Sequence, residues 1–270
     1  IVIGGGTGTF TVLKGLKKYK DLHLSAIISM MDSGGSNRVI RDEFGLLPTS
    51  DLRQCIVALS SEKSDKIIRD LFNYRYHQGT GISGMTFGNL FMAALTDIYG
   101  SQEKAIEMTC KLLQVNGEIL PVTYDNVHLL AIYNNGLQIL GEHFIDEPLD
   151  LASDIKLIDL KTVPKSRANP KALEAIAKAD IILLGPGDLF TSIICNLVVN
   201  GVKNSIKKSR AKIIYVLNLM TKHGQTDGMS ASKHLETLER YLGREVDYCL
   251  KNNGQLTDQE VVWYKTHKSA

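Results

Sequence analysis

The sequence predicts an α/β fold: a Rossmann-like parallel sheet flanked by helices, with an antiparallel hairpin insertion. Three observations carry this expectation. Short apolar runs alternate with helix-period stretches along most of the chain, the pattern of strands joined by crossover helices. The first run, IVI, ends in a glycine turn and is followed by a helical stretch and a second apolar run, LSAIISMMD. Near the middle the texture changes to strand-like runs around Asn134-Asn135-Gly136, and Asn-Gly between apolar runs is a strong hairpin signal.

Each element follows in order. IVI is a strand cut short by Gly4, and TVLKGLKKY has helical spacing. LSAIISMMD reads as a buried strand ending at Asp32. A helical stretch is expected from about Asp51 to Tyr76, broken near Ser60–Ser64, then helices over Phe87–Tyr99 and from about Gln102 to Leu113. EILPVT, VHLLAIY and LQILGEHFI read as strands of a β-rich insertion at about 117–160. The α/β texture returns with the helix PKALEAIAKA, the strand DIILLG, the strand AKIIYVLNL and the helix SASKHLETLERYL. No repeat, low-complexity segment or flexible linker interrupts it, so residues 1–270 read as one domain with an elaboration.

Composition excludes several classes. A chain of 270 residues with 44% hydrophobic content can fill a core. A formal net charge of +2 offers no basic field for a nucleic-acid backbone. The cluster Lys203, Lys207, Lys208, Arg210 and Lys212 reads as a solvated helix face. Cys55, Cys110, Cys195 and Cys249 are far apart among apolar neighbours, as reduced thiols of a cytoplasmic protein would be. No charged start with an apolar stretch behind it suggests a signal peptide, and no apolar run approaches the roughly 20 residues that span a bilayer.

Ligands of open parallel sheets bind beyond the carboxyl ends of the strands, so the loops there carry the chemistry. GGGTGT follows the first strand and nominates Gly5, Gly6, Thr7, Gly8 and Thr9 as phosphate contacts, since glycines let backbone N–H groups approach an anion at a helix start. The third glycine of G-x-G-x-x-G would fall at Thr9, and no Gly-Lys-Ser/Thr follows, so neither standard nucleotide fingerprint is present. A tight connection alone is the plainer alternative. DSGGS nominates Asp32, Ser33 and Gly34. An acidic residue there can hold a ribose hydroxyl or a metal, or only cap a turn.

GPGDLFTS adds Gly185, Gly187, Asp188, Phe190, Thr191 and Ser192, and NLMTKHGQTDG adds Asn218, Met220 and Thr221. SGMTFGNLF nominates Asn89, a lone amide among small residues at a helix start. Asp51 sits where it would cap a helix, yet with Asp32 it is one of two carboxylates suited to a metal before Asp188 and Asp227. No Cys/His cluster argues for zinc. The histidines, His23, His77, His128, His143, His223, His234 and His267, are scattered and read mostly as surface residues.

The ordered set GGGTGT, DSGGS, LLPTSDLRQCIVAL, LFNYRY, SGMTFGNLFMAAL, LGPGDLFTSII and NLMTKHGQTDG resembles the YvcK/CofD-like family over nearly the whole chain, nearest to the YvcK branch of gluconeogenesis or morphogenesis factors. The other branch holds 2-phospho-L-lactate transferase, which uses a guanosine nucleotide and a divalent metal. The resemblance implies a Rossmann-like core and a nucleotide ligand. In the YvcK branch that ligand is a UDP-sugar such as UDP-N-acetylglucosamine, with a role in cell shape and cell-wall synthesis on gluconeogenic carbon sources.

It also implies cell-wall synthesis proteins as possible partners, and a homo-oligomer is expected. The transferase branch implies Mg²⁺ at Asp32 and Asp51, near the acceptor. A binding factor without turnover is the preferred expectation, a metal-dependent transferase the alternative, and a dinucleotide-binding protein the third. The chain departs from the family pattern at Asn37-Arg38-Val39, at Thr49-Ser50, at Cys195 and at Met85, where the family has histidine.

Overall fold

In the computed structural model, described for residues 1–61, 66–148, 151–152, 154–254 and 257–267, the chain opens with β1 (Val2–Gly4), α1 (Gly6–Leu16) and β2 (Ser25–Ile28). Five helices follow: α2 (Gly35–Phe44), α3 (Ser50–Leu59), α4 (Lys66–Asn73), α5 (Phe87–Tyr99) and α6 (Gln102–Leu112). Then come β3 (Glu118–Pro121), β4 (His128–Tyr133), β5 (Gln138–Leu140), α7 (Glu142–Asp146) and β6 (Leu157–Val163). The last third holds α8 (Pro170–Lys178), β7 (Ile181–Leu184), a π-helical segment (Leu189–Ile194), α9 (Cys195–Leu197) and α10 (Val202–Lys208). It closes with β8 (Lys212–Val216), α11 (Ala231–Leu242), β9 (Tyr248–Leu250) and α12 (Asp258–His267).

Six strands form one sheet in the order β3-β2-β1-β7-β8-β9, and every neighbouring pair is parallel. The central strands are short apolar runs because both faces are covered, while the edge strand β9 is exposed. Alternation sends Val2, Ala26 and Ile28 to one face, where they pack with Leu13, Ile56, Leu59, Phe72 and Met92. Ile3, Ile27, Ile182 and Leu184 turn to the other face and pack with Phe190, Ile193, Ile206 and the insertion. The chain starts at the centre, runs out to β3, and returns to β7 on the other side of β1. The topological switch point therefore lies between β1 and β7.

A second sheet, β5-β4-β6, is antiparallel. The Asn-Asn-Gly turn joins β4 to β5 as the sequence predicts. Leu129, Ala131 and Tyr133 alternate inward from β4 and are fully buried with Leu160 in the shared core.

Several boundaries differ from expectation. The insertion does not begin at 117: Glu118–Pro121 pairs parallel with Ser25–Ile28 and extends the main sheet. An apolar run of four residues looks the same locally whichever partner it finds. The insertion ends later than 160, since β6 runs to Val163. LQILGEHFI is not one strand, because Gly141 at φ 105° turns the chain and α7 follows. β2 stops at Ile28, short of Asp32.

α2 was not anticipated, its apolar positions being few. The helix expected to reach Tyr76 stops at Asn73, and Arg75 bridges to Thr86 instead. The break expected near Ser60–Ser64 lies partly outside the described residues. α5 begins at a true cap, Thr86 Oγ1 accepting from Asn89 N at 3.3 Å. No helix among the described residues is long and apolar enough to cross a membrane.

Candidate functional site

A cavity of about 200 Å³ opens at the switch point. β1 delivers Gly6 to it, β2 delivers Ser29, Asp32 and Gly34, α3 delivers Asp51, and β7 delivers Asp188, Thr191 and Ser192. The insertion supplies Glu142, His143 and Asp146 from α7. Three helices aim their N-termini here: α1 begins at Gly6, α2 at Gly35 and α3 at Ser50. First-turn N–H groups have no intrahelical acceptor and carry partial positive charge. Neither α1 nor α2 has a side-chain cap. Gly6 at φ 63° sits in the left-handed region that favours glycine and presents its N–H to the Asp51 carboxylate.

The carboxylates are held individually. Asp32 Oδ1 accepts from Gly34 N at 2.8 Å and Oδ2 from the Asn37 amide at 2.5 Å. Glu142 Oε2 accepts from Ser33 N at 3.3 Å, and His143 N donates to Ser33 Oγ at 3.1 Å. Asp146 Oδ1 accepts from Thr191 Oγ1 at 3.0 Å and Gln225 Nε2 at 3.1 Å. Lys222 Nζ lies 3.0 Å from Asp146 and 3.7 Å from Asp188, whose Oδ1 accepts from Asn218 Nδ2 at 3.3 Å.

Five carboxylates in one small space disturb each other. Burial, then the charge of Asp32, pushes the Asp51 carboxyl up to about 7. Burial, then Asp32 and Asp146, pushes the Glu142 carboxyl well above its ordinary range. Burial also raises Asp188, against the opposing charge of Lys222. Burial works to lower Lys222, but Asp146 and Asp188 outweigh it and the ammonium is held above its ordinary value.

These hard oxygen donors suit Mg²⁺, which binds through one or two carboxylates together with ligand phosphates. Among the described residues no three His, Cys, Asp or Glu side chains are placed to share one ion. Asp32 and Asp51 are the pair that would hold Mg²⁺ with phosphate oxygens completing its shell.

The structure sorts the expected contacts. Gly6, Asp32, Gly34, Asp188, Thr191 and Ser192 line the cavity, as Asp51 does. Ser33 clasps α7 to the β2 loop. Thr7 is exposed at the start of α1, while Thr9 is buried with its hydroxyl on Gly5 O at 3.5 Å. A Cβ on Gly5 would lie 2.7 Å from Asp51 Oδ2, so bare backbone there makes room for the carboxylate.

Four residues sit differently from the plainest reading of the sequence. Gly8 is pressed against the Pro186 backbone, so its missing side chain makes room for helix–loop packing. Phe190 is fully buried in the core, turned inward by the π-helical segment. Asn89 is fully buried behind the wall, donating to Ser36 Oγ at 3.3 Å and Ser50 Oγ at 3.0 Å. Asp51 does not cap α3: Thr49 holds that position, and Asp51 lies inside the first turn facing Gly6.

Gly185 and Gly187 shape the turn beside Ile193 and Ser192. Met220 and Thr221 are half-buried in the loop that carries Lys222. Glu142, His143, Asp146, Lys222 and Gln225 were missed. The one local cue to the first three was Gly141 followed by acidic residues, a helix start hidden in an apolar run.

Comparison with known proteins agrees with this architecture. The family model for 2-phospho-L-lactate transferase CofD matches residues 1–270. A protein of Thermotoga maritima named "Putative gluconeogenesis factor" is 41% identical over 269 residues, covering 100% of this chain and 83% of that one. The "Gluconeogenesis factor" of Halalkalibacterium halodurans is 36% identical over 270 residues, covering 100% of this chain and 82% of that one. A crystal structure described as a member of the UPF0052 family, from Bacillus halodurans, superposes with a TM-score of 0.92 at 35% identity, over 99% of this chain and 84% of that one. With the six-stranded parallel sheet, the acidic cavity at its switch point and a family match from end to end, the chain belongs to the CofD family.

Proposed function

We propose that the chain is a regulatory factor that binds a nucleotide-sugar, a UDP-sugar such as UDP-N-acetylglucosamine, and acts on cell shape and cell-wall synthesis in the cytoplasm during gluconeogenic growth. The observation that carries the binding part is the juxtaposition of three helix N-termini with Asp32, Asp51 and Glu142 around one cavity. Backbone N–H groups at α1 and α2 suit phosphate oxygens. Carboxylates that accept hydrogen bonds suit the hydroxyls of a ribose or sugar. The gluconeogenesis-factor names of two relatives support the physiological part.

A second proposal is a metal-dependent, 2-phospho-L-lactate transferase-like activity with a guanosine nucleotide. It is favoured by the family description and by Asp32 and Asp51 facing one cavity. There Mg²⁺ would neutralise phosphate charge, while Asp32 and Asp51 hold it and Lys222 orients Asp146 and Asp188.

Calorimetric titration with UDP-N-acetylglucosamine and with GDP, each with magnesium and with chelator, separates the two. Binding of the UDP-sugar that survives chelation supports the regulatory factor. Binding of GDP alone, lost in chelator, supports the transferase. No binding of the UDP-sugar under any condition sinks the first proposal.

A further inference from the structure

Asn37 is buried in the first turn of α2, with 2% of its surface exposed, and its amide reaches two elements at once. Nδ2 donates to Asp32 Oδ2 at 2.5 Å. Oδ1 accepts from Thr49 N and Ser50 N, each at 3.2 Å, and from Ser50 Oγ at 2.8 Å. The partners fix the amide's orientation, because backbone donors demand the oxygen and a carboxylate demands the nitrogen. Thr49 and Ser50 are the cap and first residue of α3, whose next residue is Asp51. One side chain therefore sets the rotamer of one cavity carboxylate and the position of the helix that carries the other. Asn89 backs it by donating to the same Ser50 hydroxyl at 3.0 Å.

We propose that Asn37 is a positioning residue of the ligand site, clamping Asp32 and docking α3 so that both carboxylates present their free lone pairs to the ligand. This rests on the nucleotide-binding proposal above. A buried amide that served only the fold would need no cavity carboxylate as its acceptor. Here the amide nitrogen donates to one Asp32 oxygen on the wall of the site, and Gly34 N holds the other. A carboxylate fixed at both oxygens loses little rotamer freedom when a ligand hydroxyl arrives.

The test has a ligand-free arm and a binding arm. Proton–nitrogen NMR reads the Asn37 side-chain amide. Slow exchange in the native protein and fast exchange in Asp32→Ala are expected, and fast exchange in the native protein overturns the clamp. Titration with UDP-N-acetylglucosamine is then made on the native protein, Asn37→Ala, Asp32→Asn and the double variant. Asn37→Ala is expected to weaken binding about tenfold, the size of one charged hydrogen bond. Added to Asp32→Asn it should weaken binding by less than about twofold, while still lowering Tm, because two residues acting as one unit are not additive.

Independent, multiplicative losses of affinity overturn positioning. If Asn37→Ala does not fold, Asn37→Asp replaces it: it keeps the acceptor for Thr49 and Ser50 and exchanges the donor to Asp32 for a like charge, so it too should weaken binding. A native protein that protects this amide yet binds neither UDP-N-acetylglucosamine nor GDP overturns the nucleotide proposal, and with it the ligand role of Asn37.

Discussion

Replacing Asp51 by Asn should stabilise the protein above neutral pH. The folded-state pKa of Asp51 is about 7 against an ordinary 3.8, with burial the first cause and the charge of Asp32 the second. The folded state thus binds the proton more tightly than the unfolded chain does. Below pH 3.8 the carboxyl is neutral in both states and costs nothing. Between 3.8 and 7 the unfolded chain ionises first, and stability falls as pH rises. Above 7 the loss is complete and constant.

Each unit is worth about 1.4 kcal/mol, so three units set an upper bound of about 4 kcal/mol. Water in the cavity and the loss of a favourable first-turn charge, about 0.3–1 kcal/mol, reduce the expected gain to about 2 kcal/mol at pH 8. For a chain of this size that is about 4–8 °C in Tm. The neutral amide can still accept from Gly6 N, so the gain should fade towards pH 4.

Thermal unfolding of both proteins from pH 4 to pH 8.5 checks this. A Tm for Asp51→Asn at pH 8 equal to or below that of the native protein would refute the reasoning. So would a native Tm that stays flat between pH 5 and 7. The familiar cap argument predicts the opposite sign, a loss of about 1 kcal/mol on removing Asp51, so one experiment separates a cap from a strained cavity carboxylate.

Two further outcomes follow from packing and charge. Gly8→Val should cost about 3 kcal/mol or more, because its side chain would strike the Pro186 backbone. Urea unfolding checks it, and a variant of native stability would show that the α1–Pro186 contact yields easily. Lys222→Met should cost about 1–2 kcal/mol at pH 7.5, since it strips Asp146 and Asp188 of a partly exposed counter-ion. The loss should be smaller at pH 4, since burial raises the Asp188 carboxyl above its ordinary range. An equal loss at both pH values would mean that packing of the lysine stem, not charge, is what matters.

The sequence exposes what local chemistry decides. Strands covered on both faces read as unbroken apolar runs, and β1, β2, β7 and β8 were legible for that reason. Asn135-Gly136 declared its hairpin because Gly136 takes a φ of 84° and the Asn135 side chain accepts from Leu137 N at 3.0 Å. Choices of partner were not legible. Glu118–Pro121 has the same texture beside β2 as it would have beside β4, and only the fold selects the first. α7 spans five residues, too few to show a helical period, so Glu142 and Asp146 stayed hidden in an apparent strand. Gly8 and Gly6 look alike in the string, yet one is bare to admit Pro186 and the other to adopt a left-handed conformation. Asp51 looks like a cap because Gly6, its real neighbour, is 45 residues away.

The insertion supplies one wall of the site at the switch point. α7 is tied to the β2 side through Ser33 and to the β7–β8 side through Thr191, Gln225 and Lys222. It therefore crosses the switch point and brings two carboxylates to a wall that already holds Asp32, Asp51 and Asp188. This constrains how an anionic ligand enters. The N–H of Gly6 already serves the Asp51 carboxylate and that of Gly34 serves Asp32, so a phosphate must share helix N-termini with fixed negative charge. A helix N-terminus offers about 0.3–1 kcal/mol to an anion at an exposed site. Like charges about 4 Å apart oppose each other by about 4 kcal/mol where water is partly excluded. Phosphate uptake is then favourable only if charge is neutralised in the same step, by protons on Asp51 and Glu142 or by a divalent cation. A ligand that turns hydroxyls towards the carboxylates and its phosphates towards α1 and α2 meets the least of this repulsion, a preference set by α7 together with Asp32, Asp51 and Asp188.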